Sequence, residues 1–310
     1  MLYHLPVMKE EVVRALALEP GQVAIDATLG LGGHARLLAA AVGPAGTVLG
    51  IERTAEGLAA AREALGTIDA KLILVHADFR SLVMEAAGAG ITAADAALFD
   101  LGLASWQLDT GYQGVSFQRD AVLDLRLTPV APTTFTSTDE DPLQWTGDAT
   151  LARLVRTWRF RPASEFLAQE SEPHIETVLR ALGDVRQARR VAAAIVANRK
   201  HAPIETTTAL REACGSDAPG LLAPVFQALR LLVNDEYGAL VAGLRGAWQL
   251  LRPGGRLAVI TFQSGEDRIV KHELRRGAPA RLDRYRPTSD EVRGNARSRS
   301  AILRVATKTS

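Results

Sequence analysis

Four acidic residues stand at or just after the ends of short apolar runs in this sequence, and a glycine-rich turn follows the first of them. The acids are Asp26, Glu52, Asp78 and Asp100, and the turn is 28–34, Thr-Leu-Gly-Leu-Gly-Gly-His. A carboxylate accepts hydrogen bonds and attracts cations, and glycine lets a ligand approach the backbone closely. Together these residue types predict a site for a small molecule that carries hydroxyl groups and a positive charge.

The apolar runs predict the elements that position these residues. Strands are expected at 23–26, 48–52, 72–76 and 94–99. Alanine-rich helices are expected between them, at 35–42 and 55–65. This alternation is typical of a parallel sheet that is covered on both faces, and ligands bind such sheets beyond the carboxyl ends of the strands. We therefore expect the acids and the glycine turn to meet at one edge.

The alternation stops near residue 105, and a mostly helical insertion follows. Residues 188–198 predict a helix and residues 128–147, rich in Thr, Pro and Asp, predict a loop. Three- and four-residue apolar spacing then predicts one long helix from 226 to 251. A fifth strand at 256–262 and a late edge strand at 301–306 complete the α/β core. The predicted domains are a discontinuous core, 1–105 with 220–310, and an inserted substrate-recognition subdomain, 106–219.

The glycine spacing discriminates between two cofactors that use this kind of sheet. A dinucleotide needs Gly-x-Gly-x-x-Gly to seat its pyrophosphate, whereas residues 30–36 read Gly-Leu-Gly-Gly-His-Ala-Arg. Acids near this turn suit the sulfonium and ammonium of S-adenosylmethionine better than a pyrophosphate. Glu52 is placed for its ribose diol, and Phe79 for an apolar wall beside its adenine. His34 is either a further contact to this cofactor or a packed histidine.

Methyl transfer also needs an acceptor whose lone pair is presented in line with the methyl group. Asp100 is placed to accept hydrogen bonds from an exocyclic amine, and Ser105 and Gln107 follow it in the next loop. Methylation of a pyrimidine ring carbon would need a cysteine nucleophile. The single cysteine, Cys214, lies in the insertion and is interpreted as a packing residue, so nitrogen is favoured as the acceptor. Trp106 either stacks on a base or, by a slight preference, packs in the core.

Composition and charge limit the compartment and suggest a partner. Apolar residues make up 47% of the 310 residues, there is one cysteine, and no signal peptide or membrane-spanning run is recognised, which favours a cytoplasmic protein. No ligand cluster indicates a metal. Residues 268–310 carry 12 basic and 4 acidic side chains, on an otherwise acidic chain. This basic tail is either a solvated surface or a binding site for a polyanion.

Motifs along nearly the whole chain resemble one family, the bacterial ribosomal RNA small subunit methyltransferase H family, also called MraW. The matching segments are 4–7 (His-Leu-Pro-Val), 26–34 (Asp-Ala-Thr-Leu-Gly-Leu-Gly-Gly-His), 100–109 (Asp-Leu-Gly-Leu-Ala-Ser-Trp-Gln-Leu-Asp), 115–117, 123–126, 226–236 (Phe-Gln-Ala-Leu-Arg-Leu-Leu-Val-Asn-Asp-Glu), 253–262, 266–271 and 295–304.

The resemblance implies a class I, Rossmann-like, S-adenosylmethionine-dependent methyltransferase core with an inserted helical subdomain. It implies N4-methylation of a cytidine in the decoding region of 16S rRNA, cytidine 1402, and hence the small ribosomal subunit as partner. It also implies Asp100 as the catalytic residue. The implied cofactor contacts are Gly32, Gly33, His34, Glu52, Phe79, Asp100 and Gln107.

Several positions depart from the family pattern, mostly on the substrate side. Glu52 replaces the usual aspartate, and Trp106, Gln113, Gln263 and Gly265 stand at altered motif positions. In residues 131–173 no match to the family pattern is recognised. An alternative hypothesis is therefore a divergent relative that binds S-adenosylmethionine and RNA but has an altered target or weak activity, and acts as an assembly factor.

Overall fold

The computed structural model of the protein describes residues 6–128 and 147–309, and the chain divides into two compact units. One unit is Met1–Gly102 with Ala239–Ser310, and the other is Leu103–Gly238. The predicted divisions stood at 105/106 and 219/220, so the second unit extends further toward the C-terminus than the predicted insertion. Residues 4 and 5 of the first motif and nearly all of the predicted 128–147 loop lie outside the described residues.

A seven-stranded sheet forms the first unit. Its strands are β1 (Val23–Asp26), β2 (Thr47–Glu52), β3 (Lys71–His76), β4 (Ala94–Asp100), β5 (Leu251–Thr261), β6 (Arg281–Tyr285) and β7 (Ile302–Thr307). Their order is β3-β2-β1-β4-β5-β7-β6. The first five strands in this order are parallel, and β7 is antiparallel to both of its neighbours. This is the predicted class I, Rossmann-like fold.

Fourteen α-helices are assigned in the described parts of the chain. They are α1 (Lys9–Leu16), α2 (Gly33–Val42), α3 (Ala55–Leu65), α4 (Leu82–Gly88), α5 (Ser105–Thr110), α6 (Ala149–Trp158), α7 (Ala163–Gln169), α8 (Glu172–Gly183), α9 (Ala188–Asn198), α10 (Thr207–Cys214), α11 (Pro219–Asn234), α12 (Glu236–Leu250), α13 (Ser264–Arg276) and α14 (Ser289–Gly294). Among the described residues, none of these helices is long and apolar enough to cross a membrane.

Burial explains why the predicted strands and helices formed. Strands β1, β2 and β4 consist almost entirely of buried residues, as expected of parallel strands covered on both faces. The apolar sides of α1, α2 and α3 pack on one face of these strands around residues such as Leu38, Val42 and Leu65. The predicted helices at 35–42 and 55–65 are thus confirmed, the first beginning two residues earlier, at Gly33.

The late edge strand was predicted in the wrong position. The strand β7 is present, but it lies between β5 and β6, and the edge strand is β6. Its sequence, Arg-Leu-Asp-Arg-Tyr, contains three charged residues and is only partly buried. An edge strand with one solvated side lacks the continuous apolar run by which the central strands were recognised.

The helices α5 to α11 belong to the second unit, in which α8 packs against α9 and α11. The predicted helix at 188–198 is confirmed as α9. The predicted single helix from 226 to 251 is wrong, because α11 ends at Asn234 and α12 begins at Glu236. Between them Asp235 adopts the left-handed conformation (φ 46°), which aspartate tolerates better than most residues.

Candidate active site

The carboxyl ends of the central strands meet at one edge of the sheet in the first unit. Asp26, which ends β1, is in register with Leu98 of β4. Asp100 ends β4 and is in register with Ile260 of β5. The strand order changes direction between β1 and β4, which makes this the topological switch point where sheets of this kind bind ligands. The two aspartates that end these strands flank that point.

The glycine turn after β1 is shaped by two close approaches. The N–H of Gly30 donates to Oε2 of Glu52 over 3.0 Å. Gly32 has φ +80°, and a Cβ added there would lie 2.7 Å from Cγ of Leu65. Gly33 then begins α2. Position 32 therefore requires glycine both for its backbone conformation and for space.

Both carboxylate oxygens of Glu52 are engaged within the first unit. Oε2 accepts from Gly30, and Oε1 accepts from the N–H (2.9 Å) and the hydroxyl (2.7 Å) of Thr54. Thr54 in turn caps α3 by accepting from the N–H of Gly57. An ionised carboxylate has about four acceptor sites, so Glu52 retains capacity for a ligand hydroxyl. Its observed contacts join the glycine turn to the start of α3, and its predicted ribose contact stays a prediction.

His34 is buried between a backbone carbonyl and the acidic edge. Its Nε2 lies 3.0 Å from the carbonyl oxygen of Val7, which can only accept, so Nε2 donates. Its Nδ1 lies 3.4 Å from Oδ2 of Asp100. Burial favours the neutral ring, but the hydrogen bond and charge of Asp100 and the charge of Asp26 outweigh it and raise the pKa of His34 above 6.5. When the ring is protonated, its Nδ1 donates to this oxygen of Asp100.

Asp26 is fully enclosed, and its ionisation is costly. Burial raises its pKa from 3.8 to about 6, although the charge of His34 and the N–H of Thr28 oppose that shift. Because the folded protein holds this proton more tightly than the unfolded chain does, the favourable contribution of Asp26 is complete below pH 3.8. It is lost as the pH rises through about 6.

Replacing Asp26 with asparagine is therefore expected to stabilise the ligand-free protein at pH 8. Two pKa units correspond to roughly 2–3 kcal/mol in the free energy of unfolding, and the amide can still accept from Thr28. Urea unfolding of both proteins at pH 4 and pH 8 tests this, with the pH 4 pair as internal control. If the variant and the wild type differ in stability by the same amount at pH 4 and at pH 8, ionisation of the buried carboxylate does not destabilise the protein.

Asp78 and Phe79 follow β3 and are fixed by neighbours in the first unit. Asp78 is buried, and although burial opposes ionisation, the nearby cations of Arg53 (3.3 Å) and Arg80 (3.6 Å) lower its pKa. The ring of Phe79 packs edge-on against Phe99 at 5.5 Å. The carboxylate of Asp78 is therefore paired with two arginines of the same unit. Of these two residues, Asp78 and Phe79, Phe79 remains the candidate adenine contact.

Three predicted residues lie in the second unit and are described there alone. Gln107 is buried, and its Oε1 accepts from the N–H of Ala104, so it caps α5. Trp106 is half-buried and packs edge-on against Tyr112. Cys214 is buried at the end of α10, and burial raises the pKa of its thiol to about 12. This thiol is a packing residue, as predicted, and is a poor nucleophile.

Thr28 connects the two aspartates, a role that its position in the sequence does not indicate. Its hydroxyl accepts from the N–H of Asp100 over 2.6 Å, and its own N–H donates to Oδ1 of Asp26 over 3.2 Å. The contact between His34 and Val7 was missed for the same reason. The contacts of Thr28 with Asp100 and of His34 with Val7 join residues far apart in sequence, where no local spacing rule applies.

The acidic edge fits a cationic ligand. Oδ2 of Asp26 and Oδ1 of Asp100 are buried and have no hydrogen-bond partner among residues 6–128 and 147–309. Leaving such acceptors unpaired is costly, so a ligand that brings positively charged donors would be stabilised here. S-adenosylmethionine, with its ammonium and sulfonium groups, meets this requirement. The same described residues contain no group of three or more side chains that could hold a metal ion.

Comparisons with known proteins place the chain in one family. Residues 1–158 and 138–309 match the family model of the MraW methylases. Ribosomal RNA small subunit methyltransferase H of Symbiobacterium thermophilum is 36% identical, with 99% of this chain and 96% of that protein aligned. The protein of the same name from Chromobacterium violaceum is 38% identical, with 99% and 95% aligned.

Among solved structures, a SAM-dependent O-methyltransferase from Thermotoga maritima aligns with a TM-score of 0.46 at 13% identity, covering 100% of this chain and 69% of that one. The similarity in sequence, together with the sheet order and the acidic switch point, agrees with the family resemblance of the motifs. The chain belongs to the MraW methylase family and is an S-adenosylmethionine-dependent methyltransferase.

Proposed function

We propose that this protein transfers a methyl group from S-adenosylmethionine to the N4 amino group of a cytidine in the decoding region of small-subunit rRNA, in the cytoplasm. Family membership and the names of its relatives, which are small-subunit rRNA methyltransferases, support RNA as the substrate. The choice of an exocyclic amine rests on the site chemistry argued below. The second unit is proposed to recognise the RNA.

The position of Asp100 carries the proposal. Its carboxylate ends β4 at the switch point, with Oδ2 3.4 Å from Nδ1 of His34 and Oδ1 buried without a partner among the described residues. The lone pair of a cytosine amino group is delocalised into the ring. A fixed acceptor that takes a hydrogen bond from the amine localises that lone pair and stabilises the positive charge that develops on nitrogen. Asp100 offers one such acceptor, already oriented.

The remaining residues are assigned to holding the donor. When bound, S-adenosylmethionine supplies a methyl carbon made electrophilic by its attachment to a cationic sulfur. Asp26 would pair with the ammonium of its methionine part, the backbone of Gly32 and Gly33 would hold that part, and Glu52 would accept from the ribose hydroxyls. Most of the rate enhancement then comes from alignment of donor and acceptor.

A thiol-dependent reaction at the ring carbon is disfavoured by the side chains of the chain itself. The sole cysteine is Cys214, whose thiol has its pKa raised to about 12 by burial. Such a thiol is protonated at neutral pH and does not add to a pyrimidine ring. Nitrogen methylation breaks the bond between sulfur and the methyl carbon, forms the bond from that carbon to N4 and releases one amine proton, which we assign to the carboxylate of Asp100.

The proposal is tested by mapping rRNA modifications in strains with and without the gene. We expect one N4-methylated cytidine of the decoding region to lose this methyl group in the deletion strain and to regain it on complementation. If every cytidine keeps its modification without the gene, the proposal fails, and the divergent, non-methylating relative becomes the better description.

A further inference from the structure

The excess positive charge of residues 268–310 is divided between two opposite edges of the sheet. The last residue of β6, Tyr285, is in register with Leu303 of β7, and Leu303 with Ile260 of β5. Ile260 is in register with Asp100. The end of β6 therefore lies at the same edge as the candidate site. Three strand spacings separate it from β4, about 14 Å.

Among the exposed arginines at this near edge, Arg286 and Arg299 are called the near-edge arginines. Arg286 directly follows β6, and Arg299 lies in the 3-10 turn Ala296–Ser300, which leads into β7. Neither forms an ion pair with a carboxylate of the described residues. The acids of the same segment are otherwise engaged: Asp290 pairs with Arg293, and Glu291 accepts from a backbone N–H.

Two further exposed arginines lie at the opposite edge and are called the far-edge arginines. The helix α13 begins at Ser264, just after β5 reaches the near edge, and ends with Arg275 and Arg276. At 1.5 Å per residue this end is about 17 Å along the helix from its start. The two pairs have the same charge and are both exposed, and they differ in position and in one interaction, the charge of Arg276 acting on the carboxylate of Glu273.

The near-edge segment is also tied to the candidate site by a short series of contacts. Glu291 in α14 accepts the N–H of Met8 over 2.7 Å. The carbonyl oxygen of Val7, the residue before Met8, accepts from Nε2 of His34. The other ring nitrogen of His34 contacts the carboxylate of Asp100. A chain bound at the near-edge arginines would therefore lie beside a segment that is in direct contact with the residues around the acceptor carboxylate.

From this placement we propose that Arg286 and Arg299 bind phosphate groups of the RNA strand that presents the target base. The inference rests on the proposed function, since it takes RNA as the substrate. Unpaired guanidinium groups on segments about 10 to 14 Å across the sheet from the site suit the phosphates of nucleotides flanking a base held at Asp100, because such contacts position a nucleic acid without reading its sequence. The far-edge arginines face away from this path.

The test compares two double variants that each remove two charges, Arg286→Gln with Arg299→Gln and Arg275→Gln with Arg276→Gln. Binding to small-subunit rRNA from a strain lacking the gene is measured between 50 and 300 mM salt. The near-edge variant is expected to bind about tenfold more weakly at low salt, with the slope of log affinity against log salt reduced by about 1.5. The far-edge variant should stay within about twofold of the wild type.

Affinity for S-adenosylmethionine, measured by calorimetry, should be unchanged in both variants and checks that the fold and cofactor site are intact. Equal RNA binding by the near-edge variant and the wild type, or equal losses in the two variants, would overturn the assignment. Failure of the proposed function is seen separately, as absence of methyl transfer to rRNA by the wild type. Transfer by the wild type with unaltered binding by the near-edge variant rejects the near-edge assignment alone.

Discussion

Replacing Asp100 with asparagine is expected to reduce the rate of methyl transfer by about a hundred- to a thousandfold. The amide is neutral, so it stabilises positive charge on the attacking amine far less than a carboxylate does, and losses of this size follow removal of one preorganised electrostatic group. The fold should persist, because the amide can still hydrogen-bond with His34. Single-turnover transfer to rRNA and urea unfolding measure the two quantities.

The same strand offers a matched control. Asp95 lies at the start of β4, where it pairs with Arg252 and accepts the N–H of Val23. The substitution Asp95→Asn makes the same chemical change at the opposite end of the strand and should leave the transfer rate within about twofold of the wild type. A rate for Asp100→Asn similar to that of the control would remove Asp100 from the catalytic role.

Replacing Gly32 with alanine is expected to destabilise the protein by about 3 kcal/mol and to weaken binding of S-adenosylmethionine at least tenfold. The backbone at φ +80° costs roughly 1–2 kcal/mol for a residue with a Cβ. That Cβ would also lie 2.7 Å from Leu65, and such crowding costs roughly 1–3 kcal/mol. Relief of the contact would displace the turn that is proposed to hold the cofactor. Urea unfolding and calorimetric titration measure both effects.

A second glycine separates backbone strain from crowding. Gly215, which follows α10, has a similar left-handed backbone (φ 63°, ψ 31°), but nothing lies within 4 Å of an added Cβ. The substitution Gly215→Ala should cost only about 1 kcal/mol and leave cofactor affinity unchanged. If Gly32→Ala behaves like Gly215→Ala in both measurements, the turn is not held by its contact with Leu65.

The central part of the fold could be predicted because each element carries its own local signal. The buried strands β1, β2 and β4 are apolar runs, and parallel pairing brings their carboxyl ends together, so Asp26 and Asp100 were expected at one edge. The strand β6 could not be found in this way, since its three charged residues reflect an edge position that only the folded sheet defines. The glycine turn was found from composition alone.

The break between α11 and α12 shows a second limit of sequence patterns. Apolar spacing continues across Asp235, so the pattern predicted one helix, yet the chain turns there with φ 46°. The side chain of Asp235 lies where a Cβ on Gly238 would be, 2.4 Å from the added atom, and it faces Arg159 at 3.9 Å. The apolar spacing carries no information on the contact with Arg159, which is distant in sequence.

In the candidate site, too, local sequence patterns predicted the positions of residues but not their long-range contacts. Residue types and strand ends predicted where Glu52 and Asp100 would lie. The contacts that hold them, from Gly30 to Glu52 and from Val7 through His34 to Asp100, cross 22 or more residues of sequence. Such pairs are chosen by the packing of the sheet, so no spacing rule gives them.

The proposed reaction is tested most directly by incubating the purified protein with small subunits from a strain lacking its gene and S-adenosylmethionine carrying a deuterated methyl group. Mass spectrometry of the digested rRNA should then find the label on the N4 nitrogen of one decoding-region cytidine. Label on a ring carbon or at another nucleotide, or no label under conditions in which the protein binds the cofactor, would contradict the account.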